Sequence, residues 1–209
     1  MSNVKLYRHP LSGHSHRAQL FLSLLGLSAE LVDVDLMTGE HKQAEFLSKN
    51  IFGQVPVLED GDDTIADSNA ILTYLAMKYD QGRTWLPTLP SDAAEVERFL
   101  SVSAGPLANG PAAARLVNVF NSPIDHQDVI DKTHALLEIF ENHLQGRDWL
   151  VTNKPTIADI ANYSYIAHAP EGDVSLDNYT NIKQWLKRIE SLPGFVAMKT
   201  TEVGLCKVA

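Results

Sequence analysis

The apolar positions along this chain change period several times, and each change marks an element. Residues 4–7 form a short β-prone run, followed by the turn-rich stretch Arg8-His9-Pro10-Leu11-Ser12-Gly13. From 15 to 25 the apolar residues Ala18, Phe21, Leu22 and Leu25 fall at helical spacing, and Gly26 supplies a stop. Residues 29–34 read as a second strand, which is most economically parallel to the first because a helix separates them. A short helix around 42–49 then leads to a strand at 53–58. Asp60-Gly61 is a hairpin signal into a strand at 63–66, and a helix starts at Asp67 or Ser68 and runs to about Tyr79.

This order, βαβαββα, is the thioredoxin-like α/β arrangement. Residues 80–91 then change character. Gly82, Pro87 and Pro90 break any helix, while Trp85 and Leu86 give apolar anchors, as in a linker. Beyond it strand patterns are almost absent, and 92–104, 111–120, 127–144, 157–167 and 179–191 all look helical. The expected organisation is an α/β domain over 1–80, a linker over 81–91 and an all-helical C-terminal domain over 92–209.

Composition narrows the picture by exclusion. With 209 residues, 44% hydrophobic and 21% charged, the chain is ordinary globular protein, long enough to bury about 70% of its unfolded surface. Seventeen basic against twenty-six acidic side chains give a net charge of −9 without any Lys/Arg cluster. Nucleic acid and anionic membrane are therefore not expected as partners. No apolar run approaches the roughly 18 residues needed to cross a bilayer. The start, Met1 to Tyr7, lacks the basic and apolar stretches of a secretion signal. The single cysteine, Cys206, leaves no internal disulfide and no CxxC pair. A cytoplasmic location is expected.

Two segments carry candidate chemistry. In Gly53-Gln54-Val55-Pro56 a proline follows a β-branched residue at a strand start, where it cannot donate to a ladder. A cis peptide bond there would turn the Val55 N–H and C=O toward a bound peptide, although an edge-strand proline without any ligand gives the same pattern. One hairpin later, Asp67-Ser68-Asn69 opens a helix. Its N–H groups and dipole attract a carboxylate, Ser68 adds a hydroxyl and Asp67 offers a carboxylate for an amine. Plain N-capping would also use these residue types.

Together, Gly53-Gln54-Val55-Pro56-Val57-Leu58, Asp67-Ser68 and Ile71-Leu72-x-Tyr74-Leu75 resemble the glutathione-binding core of cytosolic glutathione transferases. Val34-Asp35-Leu36, Gly39-Glu40-His41-Lys42 and Phe46-Leu47 are similar to the preceding segment of serine-dependent, phi-like and bacterial members. Pro155-Thr156-Ile157-Ala158-Asp159-Ile160-Ala161 resembles the family's structural helix start. The resemblance implies glutathione as co-substrate. Gln54 and Ser68 would hold its γ-glutamyl carboxylate, Asp67 the amino group, Val55 (before Pro56) the cysteinyl main chain, and His41 with Lys42 the glycine carboxylate. It also implies a homodimer. A small hydrophobic electrophile would be the second substrate, with Leu11, Leu107, Arg115 and Tyr165 as candidate contacts between the domains.

Ser12 is the expected catalytic residue. A free thiol is mostly protonated at neutral pH, and a hydroxyl donating to sulfur at a helix N-terminus favours the thiolate nucleophile. Ser12 lies five residues before Arg17, a spacing that resembles phi-like members; Ser15 is the rival and Tyr7 a weaker one. The expected reaction is attack of the thiolate on an electrophilic carbon. Hydroperoxide reduction and a non-catalytic interaction module are the alternatives, while thiol transfer is disfavoured because a serine stands where those relatives place cysteine. His9, His14 and His16 lack metal-ligand spacing, so no metal is expected. Thr156-x-x-Asp159 reads as a helix cap with a folding role.

Overall fold

The computed structural model describes residues 4–201; Cys206 lies outside them. The chain divides into two compact units. The first runs through Leu86 and takes in Leu192–Lys199, and the second comprises Pro87–Ser191 and resumes at Thr200.

In the first unit β1 (Val4–Arg8), α1 (Gly13–Leu24), β2 (Glu30–Asp33), α2 (Ala44–Leu47), β3 (Val57–Asp60), β4 (Asp63–Ala66) and α3 (Ser68–Tyr79) follow in the predicted order. The sheet order is β2-β1-β3-β4, with β1 parallel to β2 and antiparallel to β3, and β3 antiparallel to β4. Side chains alternate across it, as the period of two requires. Val4, Leu6 and Leu58 are buried on one face, which packs with Leu20, Phe21, Ile71, Leu72 and Leu75 of α1 and α3. Tyr7, Val57 and Ala66 meet Val34 and Phe46 on the other. The Asp60-Gly61 signal is a two-residue hairpin in which Asp60 pairs with Asp63 and Gly61 has φ +65°.

Residues 192–199 lie along α1. His16 Nε2 is 2.8 Å from the Val196 carbonyl, and Gly194 passes so close that a Cβ there would sit 2.6 Å from the Ser23 carbonyl oxygen. The hydrophobic pattern places these residues with the helices; contacts this distant in sequence leave no local periodicity to read.

The second unit consists of α4 (Pro90–Ala104), a π-helical stretch Ala108–Ala112 leading into α5 (Ala113–Phe120), α6 (His126–His143), α7 (Ile157–Ala167) and α8 (Thr180–Glu190). Helix α7 is buried along most of its length. Its start is fixed by Asp159, fully buried, whose carboxylate accepts from Thr156 N, Leu150 N and the Trp185 indole at 2.8, 2.9 and 2.9 Å. The folding role read from Thr156-x-x-Asp159 thus extends to a loop and a second helix.

Candidate active site

Strand register gathers the candidate residues. Tyr7 pairs with Val57 and Val57 with Ala66. The end of β1, the start of β3 and the end of β4 therefore lie side by side. The segments just beyond those ends are the loop to Ser12, Gln54-Val55-Pro56, and Asp67-Ser68. The 3₁₀ turn Glu40–Lys42 joins them, because Lys42 Nζ donates to the carbonyls of Phe52 and Gly53 at 3.1 and 2.9 Å. Gly53 is required at this junction. Its φ is +56°, and a Cβ would stand 2.6 Å from the His41 carbonyl oxygen.

The Val55–Pro56 peptide bond is cis. The Val55 main chain has no hydrogen-bond partner among the described residues, whereas the Gln54 carbonyl accepts from Asn50 Nδ2 at 2.8 Å and leaves the Gln54 side chain exposed. His41 is half-buried and Lys42 exposed.

Asp67 caps α3: its Oδ1 accepts from Asn69 N and Ala70 N at 2.8 and 3.0 Å. It holds φ +78°, a region that costs a non-glycine residue about 1–3 kcal/mol, and the cap offsets part of that strain. Capping and ligand binding are compatible here, since only one carboxylate oxygen is used by the cap.

Ser68 is buried at 2% exposure, and two side chains of α1 reach it. Arg17 Nη1 donates to Ser68 Oγ at 2.9 Å and to Asn69 Oδ1 at 2.8 Å, and His14 Nδ1 lies 3.2 Å from the same hydroxyl. Burial, with the Arg17 charge second, pushes the His14 imidazole down to about 3, so the ring is neutral at physiological pH. In the sequence Arg17 marks only a spacing from Ser12, and His14 is one of three histidines without metal-ligand spacing. Their convergence on Ser68, more than fifty residues away, is visible only in three dimensions. The three imidazoles do not converge on one another, and no group of three or more His, Cys, Asp or Glu among the described residues is placed to hold a metal ion.

The N-cap of α1 is Ser12, and its geometry separates the two serines. Ser12 Oγ accepts from Ser15 N at 3.2 Å and remains half-exposed. Its one proton is thus directed away from the helix and can be donated outward. Ser15 is 1% exposed, and its oxygen accepts from His9 N at 3.1 Å, tying the preceding loop to the helix. The Tyr7 hydroxyl donates to Glu59 at 2.9 Å.

Of the candidates for the second substrate, Leu11 is half-buried in the loop before Ser12 and Tyr165 is 8% exposed. Leu107 is wholly buried, and Arg115, 2% exposed, is committed to an ion pair with buried Glu171. A guanidinium removed from water needs such a carboxylate, and this one comes from a turn fifty-six residues away.

A thioredoxin-like sheet that gathers a cis-proline loop, a capped helix start and a serine at a second helix start, in a chain that continues into an all-helical unit, defines a two-unit thiol-binding architecture. The family described as glutathione S-transferase, N-terminal domain, matches residues 2–77, and its counterpart, glutathione S-transferase, C-terminal domain, matches residues 108–193. Glutathione S-transferase 3 of Zea mays is 34% identical over 207 residues, 93% of this chain and 92% of that protein. Glutathione S-transferase F10 of Arabidopsis thaliana is 32% identical over 87% of this chain and 90% of its own length. Among solved structures, a glutathione S-transferase from Pseudomonas fluorescens superposes with a TM-score of 0.88 at 31% identity, covering 94% of this chain and 99% of that one. A glutathione transferase homologue from Drosophila mojavensis with bound glutathione gives 0.83 at 30% identity, covering 92% and 90%. The chain belongs to the glutathione S-transferase family.

Proposed function

We propose that this protein is a glutathione transferase in which Ser12 holds the glutathione sulfur as a thiolate for attack on a hydrophobic electrophile. Glutathione is the co-substrate. Its γ-glutamyl carboxylate is held by Gln54 and by Ser68 at the start of α3, and its amino group by the Asp67 oxygen left over from capping. The cysteinyl main chain pairs with Val55, and the glycine carboxylate lies near His41 and Lys42. The thiol proton is released to solvent as the thiolate forms; in the attack a carbon–sulfur bond forms and the bond from that carbon to its leaving group breaks, the leaving group departing with the electron pair. Leu11, in the loop before Ser12, is the residue we assign to the electrophile, and a homodimer is the assembly.

The observation that carries this reading is the Ser12 hydroxyl, which takes a backbone N–H on its oxygen and so keeps its proton for a partner outside the helix. A hydrogen bond to a charged acceptor contributes about 1.5–3 kcal/mol, equivalent to a thiol pKa lowered by about one to two units. The test is a pH titration of bound glutathione by thiolate absorbance in the wild type, Ser12→Ala and Ser15→Ala. The expected result is a raised thiol pKa and a turnover reduced about ten- to hundred-fold in Ser12→Ala, with glutathione still bound. Ser15→Ala lowers the melting temperature but keeps the thiol pKa. Equal thiol pKa values in wild type and Ser12→Ala would remove Ser12 from the mechanism.

A further inference from the structure

Two residues of α1, His14 and Arg17, converge on the Ser68 hydroxyl at the start of α3. They stand three apart in the chain and so share one flank of their helix. The two protons on Arg17 Nη1 are divided between Ser68 Oγ at 2.9 Å and Asn69 Oδ1 at 2.8 Å. Because Ser68 is buried, the direction of its own proton is decided by these neighbours rather than by bulk water.

A serine hydroxyl has one proton and two lone pairs. A guanidinium only donates, so Arg17 fills one lone pair. The other lone pair and the proton remain, and His14 Nδ1, at 3.2 Å, takes one of the two. Which it takes depends on where the imidazole carries its own proton. A bare Nδ1 accepts the Ser68 proton and leaves Ser68 only a lone pair to turn toward a ligand. A protonated Nδ1 fills the second lone pair, and the hydroxyl proton is then left for another acceptor. The choice exists because the ring is neutral: burial, with the Arg17 charge second, keeps it from taking a second proton at physiological pH.

We propose that His14 is a positioning residue for glutathione: in the complex its Nδ1–H donates to Ser68 Oγ and so turns the Ser68 proton onto the γ-glutamyl carboxylate. This role rests on the glutathione-binding reading of Ser68 and adds a condition to it. A carboxylate has no proton to give, so a serine whose proton is held by His14 would meet it with an electron pair and repel it. Only one tautomer of His14 is compatible with the contact. Ser12 caps the same helix start two residues earlier. The first turn of α1 therefore acts at both ends of glutathione, on the sulfur directly and on the far carboxylate through Ser68.

The tautomer is read by long-range proton–nitrogen NMR of the full chain carrying isotope-labelled histidine, in which protonated and bare ring nitrogens resonate far apart. Loss of signals in His14→Asn identifies this ring among the eight histidines. With saturating glutathione, His14 Nδ1 is expected in the protonated range. Steady-state kinetics supply a second readout. Asparagine can present an amide N–H close to the place of Nδ1, so His14→Asn should keep the glutathione KM within about twofold of wild type. His14→Leu has no donor and should raise that KM about three- to tenfold, the range of one neutral hydrogen bond, with kcat at saturating glutathione unchanged. A loss of packing alone would not separate the two variants in this way. Bound glutathione with a bare His14 Nδ1, a wild-type KM in His14→Leu, or an asparagine variant as impaired as the leucine one would each overturn the role of His14 and leave glutathione as the ligand. Failure of the wild type to bind glutathione would overturn both.

Discussion

At the scale of single residues, the site is held by positions with one acceptable occupant. Gly53 is the clearest. It combines a left-handed backbone with a carbonyl oxygen too near to admit a Cβ, while Lys42 grips its own carbonyl. Gly53→Ala is expected to cost about 2 kcal/mol or more of stability and to weaken glutathione binding, because the turn with His41 and Lys42 must shift. Denaturant unfolding and a glutathione titration check it, and an unchanged affinity would detach that turn from the ligand. Part of this was legible in the sequence: Gln54-Val55-Pro56 and Asp67-Ser68 announce themselves by composition and spacing. Arg17 and His14 did not, since a buried arginine on a helix looks locally like any other arginine. The same holds for Arg115, which family position offers as a substrate contact and which the structure seals against Glu171.

At the scale of elements, long-range polar clusters fix helix starts and turns that hydrophobic pattern only outlines. The turn Ala169–Gly172 packs on α5 so tightly that a Cβ on Gly172 would be 2.7 Å from the Arg115 nitrogen. Glu171 in that turn accepts from Arg115, His168 and Thr201. Burial alone would raise its carboxyl pKa, but the hydrogen bonds from His168, Thr201 and Arg115 outweigh it and hold the group at about 2, below the ordinary 4.5. A depressed acid contributes stability fully present above its unfolded pKa and lost as pH falls through the folded one. Unfolding stability should therefore decline as pH drops from about 4.5 toward 2, by on the order of 3 kcal/mol from this group. Glu171→Gln should be less stable at neutral pH and show a shallower decline across that window. Urea midpoints measured through the window test this, and parallel curves for the two proteins would reject it. The helices themselves were readable within a few residues because apolar spacing is a local property. The π-helical stretch at Ala108–Ala112 was not, since it arises where Pro111 interrupts an otherwise helical run.

At the scale of the whole molecule, the order of strands and helices in the first eighty residues sufficed to read a thioredoxin-like arrangement, because chirality and short connections leave few alternatives, while the sheet order and the pairing of β1 with β3 come from the structure. Assembly is a separate question. Ile51 and Phe52 are 80% and 72% exposed beside the anchored Lys42 turn, an apolar pair that a second subunit would cover. Light scattering is expected to give twice the 23.1 kDa chain mass, and Phe52→Ser should shift the population toward monomer. A monomeric wild type over a wide concentration range would refute the dimer. The passage of residues 192–199 back onto α1 has a consequence for anyone recombining this protein with a relative. A crossover placed at the obvious junction near residue 86 would splice a foreign tail onto the native first helix. The His16–Val196 hydrogen bond and the Gly194 approach to Ser23 would then join residues of different parentage. A chimera that inherits 192–199 together with its own first eighty-six residues keeps those matched pairs, so the heritable module in this chain is a discontinuous one.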